Sequence, residues 1–241
     1  MRASCLTFVL VVATTACGDD RGSTPGDQPD VDAAAPDPAP SLFIDGELTT
    51  VPMIPDARLP TDVALDVHVR VLVDGEPLTT GEVVLDSDAG PLVLTYDPDD
   101  REGRWRGVQP GYVERYTLRV AGGGVTHALA IDGPDHHFFK LPLFGFTVDP
   151  SWPVEVVWSK QEVADRALIS TRAMAPRSID DRRGRWMIPV GDLTAYPHDK
   201  ARDEIRVTRS VHLVPADLAP GSIVHVTVDN RLPVVVGELA P

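Results

Sequence analysis

The sequence predicts an all-β protein, built as two tandem antiparallel β-sandwich units behind a short export segment and an acidic spacer. Three observations lead there. From residue 42 onward, apolar and polar residues alternate with period two, the signature of half-buried strands. Turn-forming residues interrupt that alternation at intervals of roughly ten residues, the rhythm of sandwiches rather than of parallel α/β units. No segment sustains the apolar stripe of a helix. The 241 residues are 43% hydrophobic and 24% charged, which suits folded domains and excludes a collagen, a coiled coil or a chain disordered throughout. A formal charge of −14 repels phosphate backbones, so no nucleic-acid partner is expected.

Residues 1–16 read as a signal peptide. Met1-Arg2 gives a positive start, Leu6 to Ala13 an apolar stretch, and Thr14-Thr15-Ala16 a small-residue close before Cys17. The apolar stretch is far below the ~20 residues that span a membrane. The segment resembles a bacterial lipoprotein signal peptide, whose cysteine receives the lipid, and Cys17 holds that position. Cys5 would leave with the signal, so Cys17 would be the mature chain's sole cysteine, unable to form an internal disulfide. Attachment to lipid would remove an otherwise free thiol. The alternative is an ordinary cleaved signal that leaves Cys17 free. Gly18 follows where the resemblance would need Asp for inner-membrane retention, so the implied address is the cell envelope, with the outer membrane favoured in a Gram-negative cell.

Residues 17–40 form the expected tether. Positions 18–40 hold six Asp, five Pro and one Arg, and no aromatic. Such a segment cannot bury enough apolar surface to offset its ordering entropy, and charge repulsion with Pro stiffness extends it. Residues 41–241 keep a net charge of −10.

The first unit is expected over 41–142. Segment 42–60 is read as its opening strand. Leu65, Val67, Val69, Val71 and Val73 then mark one face of a strand whose other face carries Asp66, His68 and Arg70. Asp74-Gly75-Glu76-Pro77 turns the chain, and strands follow near 81–85, 92–96, 104–108, 113–120 and 125–131. The second unit is expected over 143–241, with strands near 154–158, 167–171, 185–190, 205–214 and 223–229, and a last one at 234–236. The boundary is drawn where Gly145 and Asp149-Pro150-Ser151-Trp152-Pro153 interrupt the pattern. An internal echo supports two units: Asp100-Arg101-Glu102-Gly103-Arg104-Trp105 recurs as Asp181-Arg182-Arg183-Gly184-Arg185-Trp186. Trp105 and Trp186 are assigned to the two cores, because each ring offers a large apolar area just after a turn.

Val69-x-Val71-x-Val73-Asp74-Gly75-Glu76-Pro77-Leu78-x-x-Gly81-x-Val83-x-Leu85 is similar to the opening of transthyretin-like and immunoglobulin-like repeats of bacterial surface proteins. Asp97 to Trp105 and Tyr116 to Val120 stand where that pattern has a turn with an aromatic strand and a Tyr-Thr-Leu-x-Val strand. The resemblance covers residues 63–131 and implies a spacer or binding module, since its motifs specify turns and core positions rather than chemistry.

No catalytic motif stands out: Gly-x-Ser-x-Gly, His-Glu-x-x-His, a phosphate-binding loop and Cys-x-x-Cys are all missing from the sequence. No enzyme activity and no cofactor is therefore expected. Two metal candidates remain. Asp135, His136 and His137 carry transition-metal chemistry, although adjacent strand residues point to opposite faces unless a turn bends them together. Asp97, Asp99, Asp100 and Glu102 gather hard oxygen ligands in one Gly-containing turn, as calcium requires. The same residues make an ordinary solvated turn, with Arg101 and Arg104 supplying compensating charge. His68, His212 and His225 alternate with apolar neighbours and are placed on solvent faces, none a credible ligand.

The expected function is a non-enzymatic envelope lipoprotein serving as spacer, adhesion or binding module. Its partners would be the membrane, through lipid on Cys17, and another envelope protein or a glycan. The alternative is an envelope enzyme or a metal-dependent glycan-binding protein with its site in the sandwich loops.

Overall fold

The period-two pattern becomes pairing along the first two long strands. In β1 (Leu42–Pro52) and β2 (Val63–Val73) alternate side chains are buried, and the strands pair antiparallel from Leu42↔Val73 to Pro52↔Val63. The link between them is pinned by Asp62, whose Oδ2 accepts the N–H groups of Arg58 at 3.0 Å and Leu59 at 2.9 Å. The computed structural model describes residues 39–100, 102–195 and 202–237. The signal segment, Cys17, all of the tether before Ala39, and Arg101 lie outside the described residues.

After β2, Asp74 and Gly75 take the left-handed backbone of a two-residue hairpin into β3 (Glu76–Pro77). Then follow β4 (Glu82–Asp86), β5 (Leu92–Val93), β6 (Thr95–Tyr96), β7 (Arg104–Pro110), β8 (Arg115–Gly122) and β9 (Val125–Asp132). The remaining strands are β10 (Phe139–Leu141), β11 (Thr147–Val148), β12 (Val154–Trp158), β13 (Arg166–Ser170), β14 (Arg177–Ile179), β15 (Arg185–Ile188), β16 (Arg202–Leu213) and β17 (Ile223–Val236). The fold is all-β with several sheets.

A ten-stranded sheet runs β14-β13-β16-β17-β1-β2-β7-β6, with β11 added on β17 and β3 on β2. A four-stranded sheet, β5-β4-β8-β9, shares a buried cluster with it through residues such as Leu48, Val67, Leu85, Leu118 and Val226. A three-stranded sheet, β10-β12-β15, shares a second cluster through Phe139, Trp158, Ile169, Ile205 and Leu232. Fully burying each such side chain contributes roughly 1.5–3 kcal/mol, which is what holds the layers together.

Besides the strand expected near 92–96, which divides into β5 of the four-stranded sheet and β6 of the ten-stranded one, two features of the strands depart from the expectation. The pairing is not purely antiparallel, because β1–β17 and β11–β17 are parallel. A parallel pair needs a long connection: β1 and β17 come from opposite ends of the described body, and β12 to β16 intervene between β11 and β17. Secondly, the expected strands at 223–229 and 234–236 are one strand. Within β17, Val224, Val226 and Val228 belong to the first cluster, and Leu232, Val234 and Val236 to the second. Between them, the polar stretch Asp229-Asn230-Arg231 stays in the strand because partners from neighbouring segments hold its side chains.

The echoed hexapeptides share a glycine turn. Gly103 and Gly184 both have left-handed φ, 67° and 59°. Each donates its N–H to the carbonyl three residues back, Asp100 at 3.0 Å and Asp181 at 3.1 Å. A side chain is strained in that conformation, which explains Gly at both places. The tryptophans that follow diverge. Trp105 is 5% exposed and donates from Nε1 to the Leu78 carbonyl at 2.9 Å, as a core residue should. Trp186 is only half-buried, and the enclosed tryptophan of the second cluster is Trp158, at 2%. The reason is position in the sheet: β12, which carries Trp158, is the central strand of three, whereas β15 is an edge.

Candidate functional site

Arg209 follows Asp203, Ile205 and Val207 in the inward phase of β16, so the alternation that buries the valine and isoleucine also buries a guanidinium. It is wholly enclosed, and an unpaired charge there would be very costly. Two carboxylates meet it. Nε lies 3.1 and 3.2 Å from the two Asp181 oxygens, and Nη2 lies 3.0 Å from Asp181 Oδ2 and 3.0 Å from Asp135 Oδ1. Its remaining hydrogen bonds go to the carbonyls of Asp135 at 2.8 Å and Glu162 at 2.6 Å.

The carboxylates are satisfied in turn. Asp181 accepts from Ala164 N–H at 2.9 Å and Trp158 Nε1–H at 3.1 Å, and Asp135 from the N–H groups of Gln161 at 2.7 Å and Glu162 at 3.1 Å. Burial pushes the Asp181 carboxyl up, but the hydrogen bonds from Arg209 and Ala164, the arginine charge and Trp158 outweigh it and hold it below its usual range.

The two histidines of the candidate metal cluster turn elsewhere. His136 Nε2 lies 3.0 Å from the Ala57 carbonyl, and His137 Nε2 lies 3.1 Å from that of Val207. Carbonyl partners assign the Nε2–H tautomer to both neutral rings. Burial, then the Arg209 charge, pushes His137 down to about 3, and burial also lowers His136. Asn230 completes the belt. Its Nδ2 donates to the carbonyls of Ala57 and His137, both at 2.8 Å, and its Oδ1 accepts from Ala57 N–H at 3.2 Å. Asp135, His136 and His137 are therefore close in sequence but directed to separate partners. Among the described residues, no group of three or more His, Cys, Asp or Glu side chains is arranged around one ion position.

In the acidic turn the compensating cation is Arg106, from β7. It reaches Asp97 at 3.2 Å and Asp100 at 2.5 Å, while Arg104 pairs with Glu102. Asp97 Oδ1 also accepts from Asp99 N–H at 3.0 Å, and Asp100 Oδ1 from Glu102 N–H at 2.8 Å. That backbone bond and then Arg106 lower the Asp100 carboxyl. The turn closes on its own side chains, in the manner of Asx turns.

Among the concave surfaces, two are lined by tryptophan. One, of about 720 Å³, is lined by Trp186 with Glu155, Asp180, Arg183, Arg185 and Met187. The other, of about 470 Å³, is apolar and includes Leu141, Leu143, Phe146 and Trp152, the last 71% exposed. Neither was singled out from the sequence. The signal for the second was present, since Leu141-Pro142-Leu143-Phe144-Gly145-Phe146 is apolar without period-two alternation. For Arg209 the signal was an arginine in phase with Ile205 and Val207.

Together these features define an all-β protein whose clustered polar groups are largely committed to one another. No family model matches the sequence, and no curated protein matches it either.

Proposed function

We propose that the protein is a non-enzymatic lipoprotein of the cell envelope, in which an acidic spacer holds a β-sandwich body away from the membrane as a spacer or binding module. The observation that carries this reading is the apolar segment ending in Thr14-Thr15-Ala16-Cys17, with Cys17 the sole cysteine beyond it. The enclosure of Arg209, Asp181 and Asp135 agrees with it, because charged groups so thoroughly paired serve folding rather than turnover. Gly18 after Cys17 favours the outer membrane. The body is read as two immunoglobulin-like or transthyretin-like units, 41–142 and 143–241, with β17 of the second completing the first. Two separate buried clusters and the shared glycine turn support that division.

The test is Cys17→Ala in the producing cell. The expected result is release from membranes into the soluble exported fraction, with loss of the lipid mass, because two acyl chains anchor stably where one is marginal. A variant that stays membrane-bound at unchanged mass overturns the reading.

One observation favours a second reading, a glycan-binding protein: the half-buried Trp186 lines a cavity with two acids and two arginines. An aromatic surface for stacking beside polar groups for hydroxyls is the chemistry a sugar needs. Saccharide-dependent fluorescence changes that vanish in Trp186→Ala would support it.

A further inference from the structure

The register of the large sheet brings into one row groups that the sequence scatters. His212 of β16 stands opposite His225 of β17. His225 stands beside Glu47 of β1, Glu47 opposite His68 of β2, and His68 opposite Arg106 of β7. Leu48, Val67, Val69, Val224 and Val226, the chain neighbours of Glu47, His68 and His225, are buried, so those three side chains project from the face away from the core, and His212 and Arg106, paired directly opposite His225 and His68, share that face. The His212 and His225 rings lie 4.5 Å apart, centroid to centroid, edge to face.

We propose that His212 and His225, closed by Glu47, form a binding site for a borderline transition-metal ion of the zinc, copper or nickel type. Neutral imidazole suits these ions, and a carboxylate can complete the set with water. Directly opposed residues have Cβ atoms about 4.5–5.5 Å apart, so both rings can bring a nitrogen within roughly 2.0–2.1 Å of one ion by side-chain rotation alone. The backbone is already fixed, because β16 and β17 pair continuously from Arg202↔Val235 to Leu213↔Val224. Binding therefore has to order only side chains, which keeps its entropic cost low.

Glu47 is the natural third ligand. It lies one strand away, about 4.8 Å along the row, is exposed, and has no ion-pair partner among the described residues. As they stand, the three side chains form no group that could hold an ion, so binding requires all three to rotate, the imidazoles toward one another and Glu47 toward both. The rest of the row is already engaged. His68 Nε2 lies 3.1 Å from Asp66, and Arg106 is paired with Asp97 and Asp100, which removes the repulsion it would otherwise exert on a cation. Asp165 adds negative charge beside the site, with its Oδ2 accepting the backbone N–H of His212 at 2.9 Å.

The experiment uses the full, untagged chain at pH 7.5, titrated with Zn(II) by calorimetry and with Cu(II) by electron paramagnetic resonance. One ion per chain is expected, with a copper spectrum showing two imidazole nitrogens. His212→Ala and His225→Ala should each weaken binding at least as much as the roughly 10–100-fold that outer-shell changes cost, and should lose one nitrogen from the spectrum. Glu47→Gln should weaken it less while keeping both nitrogens, and His68→Ala should leave it unchanged. Unaltered melting of the metal-free variants would separate lost ligation from lost folding, and His225→Gln provides a milder change if His225→Ala unfolds. Absence of binding at millimolar metal, or binding indifferent to both His212 and His225, overturns the proposal.

Discussion

Arg209 and Asp181 meet as two parallel forks inside the protein, with Nε 3.1 Å from Oδ1 and Nη2 3.0 Å from Oδ2. The guanidinium comes from β16 and the carboxylate from the turn before β15, so the pair joins the large sheet to the segment that leads into the three-stranded one. Planar, bidentate geometry suits Arg and not Lys, whose point charge cannot span both oxygens.

Removing that arginine should be among the most damaging single changes. Arg209→Met leaves Asp181 and Asp135 buried without their cation, and breaking such a pair costs about 3–5 kcal/mol. Arg209→Lys should recover only part of it. Urea unfolding measures both, and a loss below about 1 kcal/mol for Arg209→Met would show that water reaches the carboxylates.

Acid should act in two windows. His137 titrates at about 3 when folded against about 6.5 when unfolded, so the unfolded chain binds the extra proton between those values. Stability present above pH 6.5 is therefore lost as pH falls toward 3, and His136 acts in the same direction. Asp181 is held below its ordinary value, so its contribution is lost only below about pH 4. His137→Gln keeps an N–H for the Val207 carbonyl but cannot take the proton. It should flatten the pH dependence of stability in the upper window and leave the lower one, as read by unfolding midpoints from pH 7 to 3.

Trp105, Trp158 and Trp186 should rank by enclosure. Trp105→Ala and Trp158→Ala each remove a buried ring and should cost about 3–5 kcal/mol, with Trp158→Ala also leaving Asp181 one donor short. Trp186→Ala, at a sheet edge, should cost clearly less. Equal losses for Trp186 and Trp158, measured by denaturant unfolding, would contradict the edge assignment.

Calcium should leave the acidic turn unmoved beyond screening. Arg106 already bridges Asp97 and Asp100, so added calcium should shift thermal stability no more than a monovalent salt of matched ionic strength. A larger shift, abolished by Asp97→Asn with Asp99→Asn, would mean that the ion displaces the arginine.

What the sequence determined by itself was local. Alternation along residues 63–73, the Asp74-Gly75 hairpin and the glycine turns at Gly103 and Gly184 are set by neighbouring residues, through side-chain period and backbone sterics. The all-β class follows from them. What the tertiary structure decided was register between strands far apart in the chain. It ran β17 unbroken through Asp229-Asn230-Arg231, because partners elsewhere satisfy those polar groups. It buried Trp158 rather than Trp186, because only sheet order says which strand is central. It also set His212, His225 and Glu47 side by side, where each alone was simply a polar residue on a solvent face. A strand's own pattern shows which face a residue takes, but its neighbours on that face come from other strands, through pairings that alternation alone does not encode.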